Sequence, residues 1–268
     1  MAKLIGFLCN DDSLTATAFG AMRAEMAFPQ ATVSPGFGFG WIQDGRTLLR
    51  THPKPAAGSP DLVSLASDIH SRALVAHVRE DQDGAVSALE LQPFRFRRWV
   101  VAHGGAELVE HKARLLEDVP GFVRSNIRGP SGAEAVCHLL LAELHQRDLL
   151  EKGRSNPRGC AEALARTMRR VGELDEDADF GTVAVTERVV VAGRLERPLY
   201  YRIVRGISEV SEQPLFAGHN PKPVRHPSFK AVFITDAVAD ADATGWLEIP
   251  DRSVLYVDAD WNVRFLDA

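Results

Sequence analysis

The chain has 268 residues, of which 45% are hydrophobic and 25% charged, enough apolar material for a substantial core and too much for a disordered chain. A formal net charge of -5 gives no overall attraction to nucleic acid, and the apolar runs are strand-sized and interrupted, so neither a membrane span nor a secretory signal is expected and the chain is assigned to the cytoplasm. The three cysteines, Cys9, Cys137 and Cys160, are odd in number and widely spaced, which excludes a disulfide framework and a zinc cluster.

Lys3 to Leu8 is a short apolar run at the chain start and reads as a buried strand. Asn10, Asp11, Asp12 and Ser13 offer cap chemistry before an Ala-rich stretch, Leu14 to Met26, that favours a helix ended by Pro29. Gly36 to Trp41 alternates glycine with aromatic residues, the period of a strand packed closely against another backbone; it lacks the Lys and helix start of a phosphate loop. Asp44-Gly45 predicts a hairpin into Thr47 to Thr51. A loop rich in Pro, Ala and Gly, Pro53 to Pro60, precedes a helix over Asp61 to His70. Strands follow at Ala73 to Arg79 and Trp99 to His103, with Arg95, Arg97 and Arg98 as a solvated basic hairpin between them.

Helical spacing marks Leu108 to Val119, Ala133 to Lys152 and Arg158 to Val171, with Cys137 and Cys160 as packing residues on apolar faces. From Gly181 the pattern changes to strands: Thr182 to Thr186, Arg188 to Ala192, Leu199 to Arg205, Ala231 to Thr235, Ser253 to Asp258 and Val263 to Leu266. Ser211 to Ser228, with four prolines and two histidines, reads as a surface loop or lid. Strands at both ends with helices between predict a layered α+β architecture in one domain spanning residues 1–268.

Taken in order, Lys3 to Phe7, Gly36 to Trp41, Ser71 to Arg79, Pro93-Phe94, Val100 to Gly105, the helix after Gly129 and Trp246 to Asp258 resemble the stand-alone class II glutamine amidotransferases. The resemblance implies a four-layer αββα sandwich of the N-terminal-nucleophile hydrolase type. It also implies where chemistry would sit. The family nucleophile is a cysteine directly after the initiator Met, with the freed α-amino group as base. Ala2 holds that position, and its methyl group has no lone pair to attack a carboxamide. The family's oxyanion Asn-Gly pair corresponds to Gly104-Gly105 after His103, with Gly104 in place of the Asn; losing one such donor costs roughly 10²–10³ in rate. The Asp that binds the glutamine ammonium corresponds to Gly132 in Ser131-Gly132-Ala133-Glu134, although Glu134 is kept. The Arg that clamps the substrate carboxylate is matched by Arg79, which ends Ala76-His77-Val78-Arg79.

Nucleophile, oxyanion donor and ammonium anchor are thus altered together. The resemblance then implies a pseudoenzyme with no catalytic residue, no cofactor and no metal. The remaining ligand-binding candidates are Arg79, His77, His103, Gly104, Gly105, Gly132 and Glu134. A fixed positive charge without an ammonium partner suits a small carboxylate, or an acidic side chain of a protein partner. Against this stands the plainer reading, in which Glu80, Asp81 or Glu134 neutralises Arg79 and the two histidines are satisfied wall residues. The leading functional expectation is a binding, regulatory or structural scaffold with a protein partner and no role for nucleic acid or membrane. Two alternatives stay open: an amidotransferase working by altered chemistry or through a Cys9 freed by processing after Leu8, and a subunit whose partner supplies an ammonia-using site.

Overall fold

The first apolar run forms β1 (Lys3–Cys9), and its alternation sets the layers. Leu4 and Leu8 enter one core, while Ile5, Phe7 and Cys9 enter another, so β1 is buried on both faces. The computed structural model describes residues 3–22, 25–26, 36–53, 68–79, 89–105, 108–209, 224–241 and 245–268.

Two antiparallel sheets face each other. One has the order β11 (Leu247–Glu248), β9 (Tyr200–Glu209), β10 (Val224–Thr235), β1, β4 (Ala73–Val78), β2 (Phe37–Gln43), β3 (Arg46–His52). The other runs β13 (Val263–Asp267), β12 (Ser253–Val257), β8 (Val189–Leu195), β7 (Phe180–Thr186), β6 (Trp99–Gly105), β5 (Phe94–Phe96). Their facing side chains, among them Leu4, Val75, Val100, Val183, Val232 and Leu255, form the central core. The glycine and aromatic alternation of β2 has the predicted cause. A Cβ on Gly38 would stand 2.2 Å from the Gln92 carbonyl oxygen, and one on Gly40 would stand 2.4 Å from a Val100 methyl group.

Helices cover both outer faces. α1 (Thr15–Met22) packs on the first sheet, where Phe19 meets Phe7 at 5.0 Å and Phe233 at 5.3 Å between ring centroids. After two short helices, α2 (Lys112–Leu115) and α3 (Gly121–Arg124), the long α4 (Gly132–Gln146) and α5 (Pro157–Leu174) cover the second sheet. The layers therefore run helix, sheet, sheet, helix, as expected. Cys137 and Cys160 are buried in the core under α4 and α5.

Several element boundaries differ from the sequence expectation. Leu108 to Val119 holds only the single turn of α2, because the Arg124 guanidinium takes the carbonyls of Leu116, Glu117 and Val119 that a continuing helix would need, and Pro120 follows. α4 stops at Gln146, short of Lys152: Asp148 adopts φ 56°, the Leu149 N–H reaches the Leu144 carbonyl at 2.8 Å, and the Asp148 N–H reaches that of His145. That is a Schellman stop built on Asp, where sequence reading looks for Gly. Met26 lies in an isolated bridge to Val238 and not in a helix. Residues 224–228, assigned to the loop, belong to β10, whose Pro227 sits at a register shift between His226 and Lys230. The helix over Asp61 to His70 falls largely outside the described residues, as do Ala2, Pro29, most of Pro53 to Pro60 and most of Ser211 to Ser228.

Phe7 is fully buried against Phe19 and Phe233 on the central strand of its sheet. Phe7→Ala should lower the unfolding free energy by about 3–5 kcal/mol, read as a fall in the urea midpoint at unchanged slope.

Candidate functional site

One end of the sandwich collects the start of β1 and the ends of β4, β6, β8 and β10: Lys3 pairs with Val78, and Ile5 with Thr235. Every described candidate residue on β4 and β6 belongs to it. His77 lies on β4 opposite Leu4 of β1 and Gly38 of β2; His103 lies on β6 opposite Thr182 of β7. Both rings are buried.

The two histidines are tied together by a residue that sequence reasoning did not single out. Gln92 accepts the His103 N–H at 2.7 Å and donates to the His103 carbonyl at 2.8 Å, while its amide nitrogen stands 3.5 Å from His77 Nε2. His103 Nδ1 lies 2.7 Å from the Thr182 hydroxyl. Burial, and then the charges of Arg197 and Arg79, push His77 down to about 3; burial, and then Arg197 and His77, push His103 down to about 3. Both imidazoles are therefore neutral at ordinary pH. His77 Nδ1 and His103 Nε2 make no hydrogen bond among the described residues.

Arg197 dominates the electrostatics of this end. It stands in the turn between β8 and β9, with Nη2 2.7 Å from Asp236 Oδ2 and Nη1 3.5 Å from Asp179 Oδ2. The other oxygen of Asp236 accepts the Leu4 N–H at 2.7 Å. Burial pushes the Asp236 carboxyl up, while the Leu4 N–H and the guanidinium pull it back. Both partners are donors, so the ionised carboxylate is the form they hold.

This pair decides what Gly104 can do. A Cβ on Gly104 would stand 3.5–3.6 Å from three atoms of the Arg197 guanidinium, in ordinary van der Waals contact with it. Gly105 has φ +136°, and a Cβ on it would meet the Asp179 carbonyl oxygen at 2.4 Å, which restricts the position to glycine. Gly132, the first residue of α4, is closed more firmly. A Cβ there would lie 2.6–2.9 Å from three backbone atoms of Leu108. An Asp at this position requires the Leu108 backbone to move.

Glu134 is buried, and its two carboxylate oxygens accept the N–H groups of Arg128 at 2.9 Å and Gly129 at 2.7 Å. Together with Ser131, which accepts the Glu134 N–H, it forms the cap of α4. Arg79 is placed by its own N–H, which donates to the Gly36 carbonyl at 2.8 Å, and its Nη1 lies 3.9 Å from Glu90 Oε2. Glu80 and Asp81 lie outside the described residues. Cys9 is at the far end of β1, with its thiol pushed up to about 12 by burial. Cleavage after Leu8 would remove most of the middle strand of the seven-stranded sheet. No group of three or more metal-ligating side chains occurs among the described residues, and no described helix is long and apolar enough to cross a membrane.

Two facing antiparallel sheets between helices, with buried polar groups gathered where the N-terminal strand begins, define the N-terminal-nucleophile class of amidohydrolase fold. The family model of class-II glutamine amidotransferases matches residues 1–186, and the chain belongs to this family. Among solved structures, a glutamine aminotransferase class-II domain protein from Silicibacter pomeroyi superposes with TM-score 0.60 at 14% identity, covering 99% of this chain and 98% of that one. A predicted glutamine amidotransferase from Pseudomonas aeruginosa gives TM-score 0.60 at 14% identity, covering 95% and 96%. The glutamine phosphoribosylpyrophosphate amidotransferase of B. subtilis gives TM-score 0.56 at 14% identity, with 99% of this chain matching 49% of that one. These likenesses are of fold. A comparison with curated proteins returns no match.

Two outcomes follow from the buried charges. Arg197→Ala leaves the Asp236 carboxylate, whose side chain is 4% exposed, without its cation. It should cost about 3–5 kcal/mol in chemical denaturation. Both histidines titrate below their ordinary 6.5, so the unfolded chain binds more protons in the window between 6.5 and about 3. Their contribution to stability is full above pH 6.5 and is lost as pH falls through that window. The difference in urea midpoint between pH 7 and pH 5 should shrink in His77→Gln and in His103→Gln relative to wild type.

Proposed function

We propose that this chain is a non-catalytic member of its family that acts in the cytoplasm as a binding or regulatory scaffold within one domain. The observation that supports this most is the Arg197 and Asp236 pair beside Gly104. Oxyanion stabilisation needs a donor aimed at open space about 3 Å away. At this position the side-chain donor is gone, and the space beside it holds a guanidinium shared between Asp236 and Asp179. The approach of Leu108 to Gly132 adds to the argument, since the expected counter-charge for a substrate ammonium has no room there. Ala2 in the nucleophile position supplies the third element.

A guanidinium is itself a donor, so altered chemistry is the reading to exclude. It would need a nucleophile. Cys9, buried and raised to about 12, is protonated and remote from the start of β1. The surviving recognition group is Arg79. An acidic side chain of a partner, or a small carboxylate, would compete with Glu90 for it, and a free amino acid would bring an ammonium group that nothing at Gly132 compensates.

Purified protein should release no glutamate from glutamine above a denatured control. Ala2→Cys should remain inactive, because neither the Gly104 donor nor the Gly132 counter-charge returns with the thiol. Steady glutamate release by wild type overturns the proposal. Release by Ala2→Cys alone shows that the Gly104 and Gly132 changes are tolerated.

A further inference from the structure

The opposite end of the sandwich, where β1 finishes at Cys9 beside Ala231 of β10 and Leu8 pairs with Ala73 of β4, opens into a cavity of about 340 Å³. Three arginines from separate parts of the chain line it: Arg72 before β4, Arg154 before α5 and Arg188 in the turn between β7 and β8. A second cleft of about 280 Å³ shares Arg72, Arg188 and Glu187 and adds Asp12 and Asp44. The volume falls at the small end of the range for metabolite sites, roughly 300–1,000 Å³.

The charges in the wall of the first cavity are unbalanced. Some arginines elsewhere find acids: Arg158, Arg194, Arg202 and Arg264 each hold a carboxylate within 3.1 Å. None of the ion pairs among the described residues involves Arg72, Arg154 or Arg188. Asp11, held low chiefly by its Ser13 hydrogen bond, is half-buried and also feels Arg72. Of the two acids in the cavity wall, Asp258 is already engaged by the Asn262 N–H at 2.9 Å and Arg264 Nε at 3.0 Å. Glu187 is the other. Three guanidinium charges less that of Glu187 leave two.

The rest of the wall favours the same kind of ligand. Pro157, the first residue of the 18-residue α5, lines the cavity beside Ser155, so the positive end of the helix dipole adds to the arginines. The Cys9 thiol is protonated and adds no negative charge. Trp261 is half-buried in the wall and gives the organic part of a ligand an apolar surface; its backbone is set at φ 68° by a hydrogen bond to the Asp258 carbonyl.

We propose that this cavity binds a small phosphorylated metabolite, with Arg72, Arg154 and Arg188 on the phosphate and Trp261 beside its organic part. A phosphate monoester carries about -1.5 to -2 at neutral pH and presents oxygens that match the guanidinium fork, whereas a carboxylate brings a single charge. The site is independent of the vestigial centre, because it lies at the other end of β1 and shares no residue with it.

The test is calorimetric titration of the full chain with phenyl phosphate, inorganic phosphate and benzoate. Phenyl phosphate should bind in the millimolar range or tighter, inorganic phosphate more weakly and benzoate weakest, with all signals falling as salt is raised. Arg154→Ala and Arg188→Ala should each weaken phenyl phosphate about tenfold or more, and Arg188→Lys should fall between wild type and Arg188→Ala. Arg154 and Arg188 are exposed, so these variants should melt with wild type. Arg79→Ala should leave phenyl phosphate binding unchanged. The proposal is overturned by absence of phenyl phosphate binding, by benzoate binding equally well, or by affinity that survives both Arg154→Ala and Arg188→Ala. Glutamate release by the protein would leave it untouched.

Discussion

The Asp236 carboxylate ties together parts of the chain that are far apart in sequence. One oxygen holds the Leu4 N–H at the start of β1, the other holds Arg197 in the turn after β8, and Asp236 itself ends β10. A charge so far removed from water is tolerable only while its donors stay in place. The carboxylate therefore fixes three positions at once: where the chain enters the sheet, how the turn lies across the second sheet, and the orientation of the guanidinium. From that orientation the electrostatics of the whole end follow. Arg197 lies over Gly104, and its charge helps to keep His77 and His103 neutral. Neutral imidazoles can in turn be buried between the sheets with Gln92 as their bridge.

The arrangement of strands was legible because each strand announced itself by its own alternation. β1, β7 and β8 are apolar on both faces and sit in sheet interiors, and the glycine and aromatic run of β2 reported a close sheet contact that the Gln92 carbonyl and Val100 supply. What failed were element ends fixed by long-range or unusual partners. Pro120 marks locally only that a helix ends by Val119; the earlier stop is not written there, since the group that takes the carbonyls of Leu116 and Val119 is Arg124 on the next element. Asp148 in a left-handed conformation is likewise invisible to a search for glycine at a helix stop.

The same distinction applies to the site. His77, His103, Gly104, Gly132 and Arg79 could be picked out because they stand in short motifs beside strands or a helix start. Arg197 and Asp236 could not. They are 39 residues apart, each in a turn or at a strand end, where Arg and Asp are ordinary solvated residues. Their meaning comes only from the antiparallel pairing of β1 with β10 and from the close packing of the two sheets, which together bring the Thr235 end of one strand beside the Lys3 end of another.

This coupling makes the surroundings of Gly104 a property of the packing as well as of the residue types. A side chain on Gly104 directed at Arg197 would press on its guanidinium, which a Cβ there already touches at 3.5–3.6 Å. Moving Arg197 removes the cation from a carboxylate with 4% of its side chain exposed, and that carboxylate also holds the Leu4 N–H. Leu4 stands two residues from position 2, where the family keeps its nucleophile. Gly132 adds a separate obstacle, since the obstructing atoms there are backbone of Leu108 and cannot change rotamer. The fold tolerates the present arrangement because these contacts stabilise it: a guanidinium paired with a buried carboxylate beside Gly104 and a close backbone approach at Gly132.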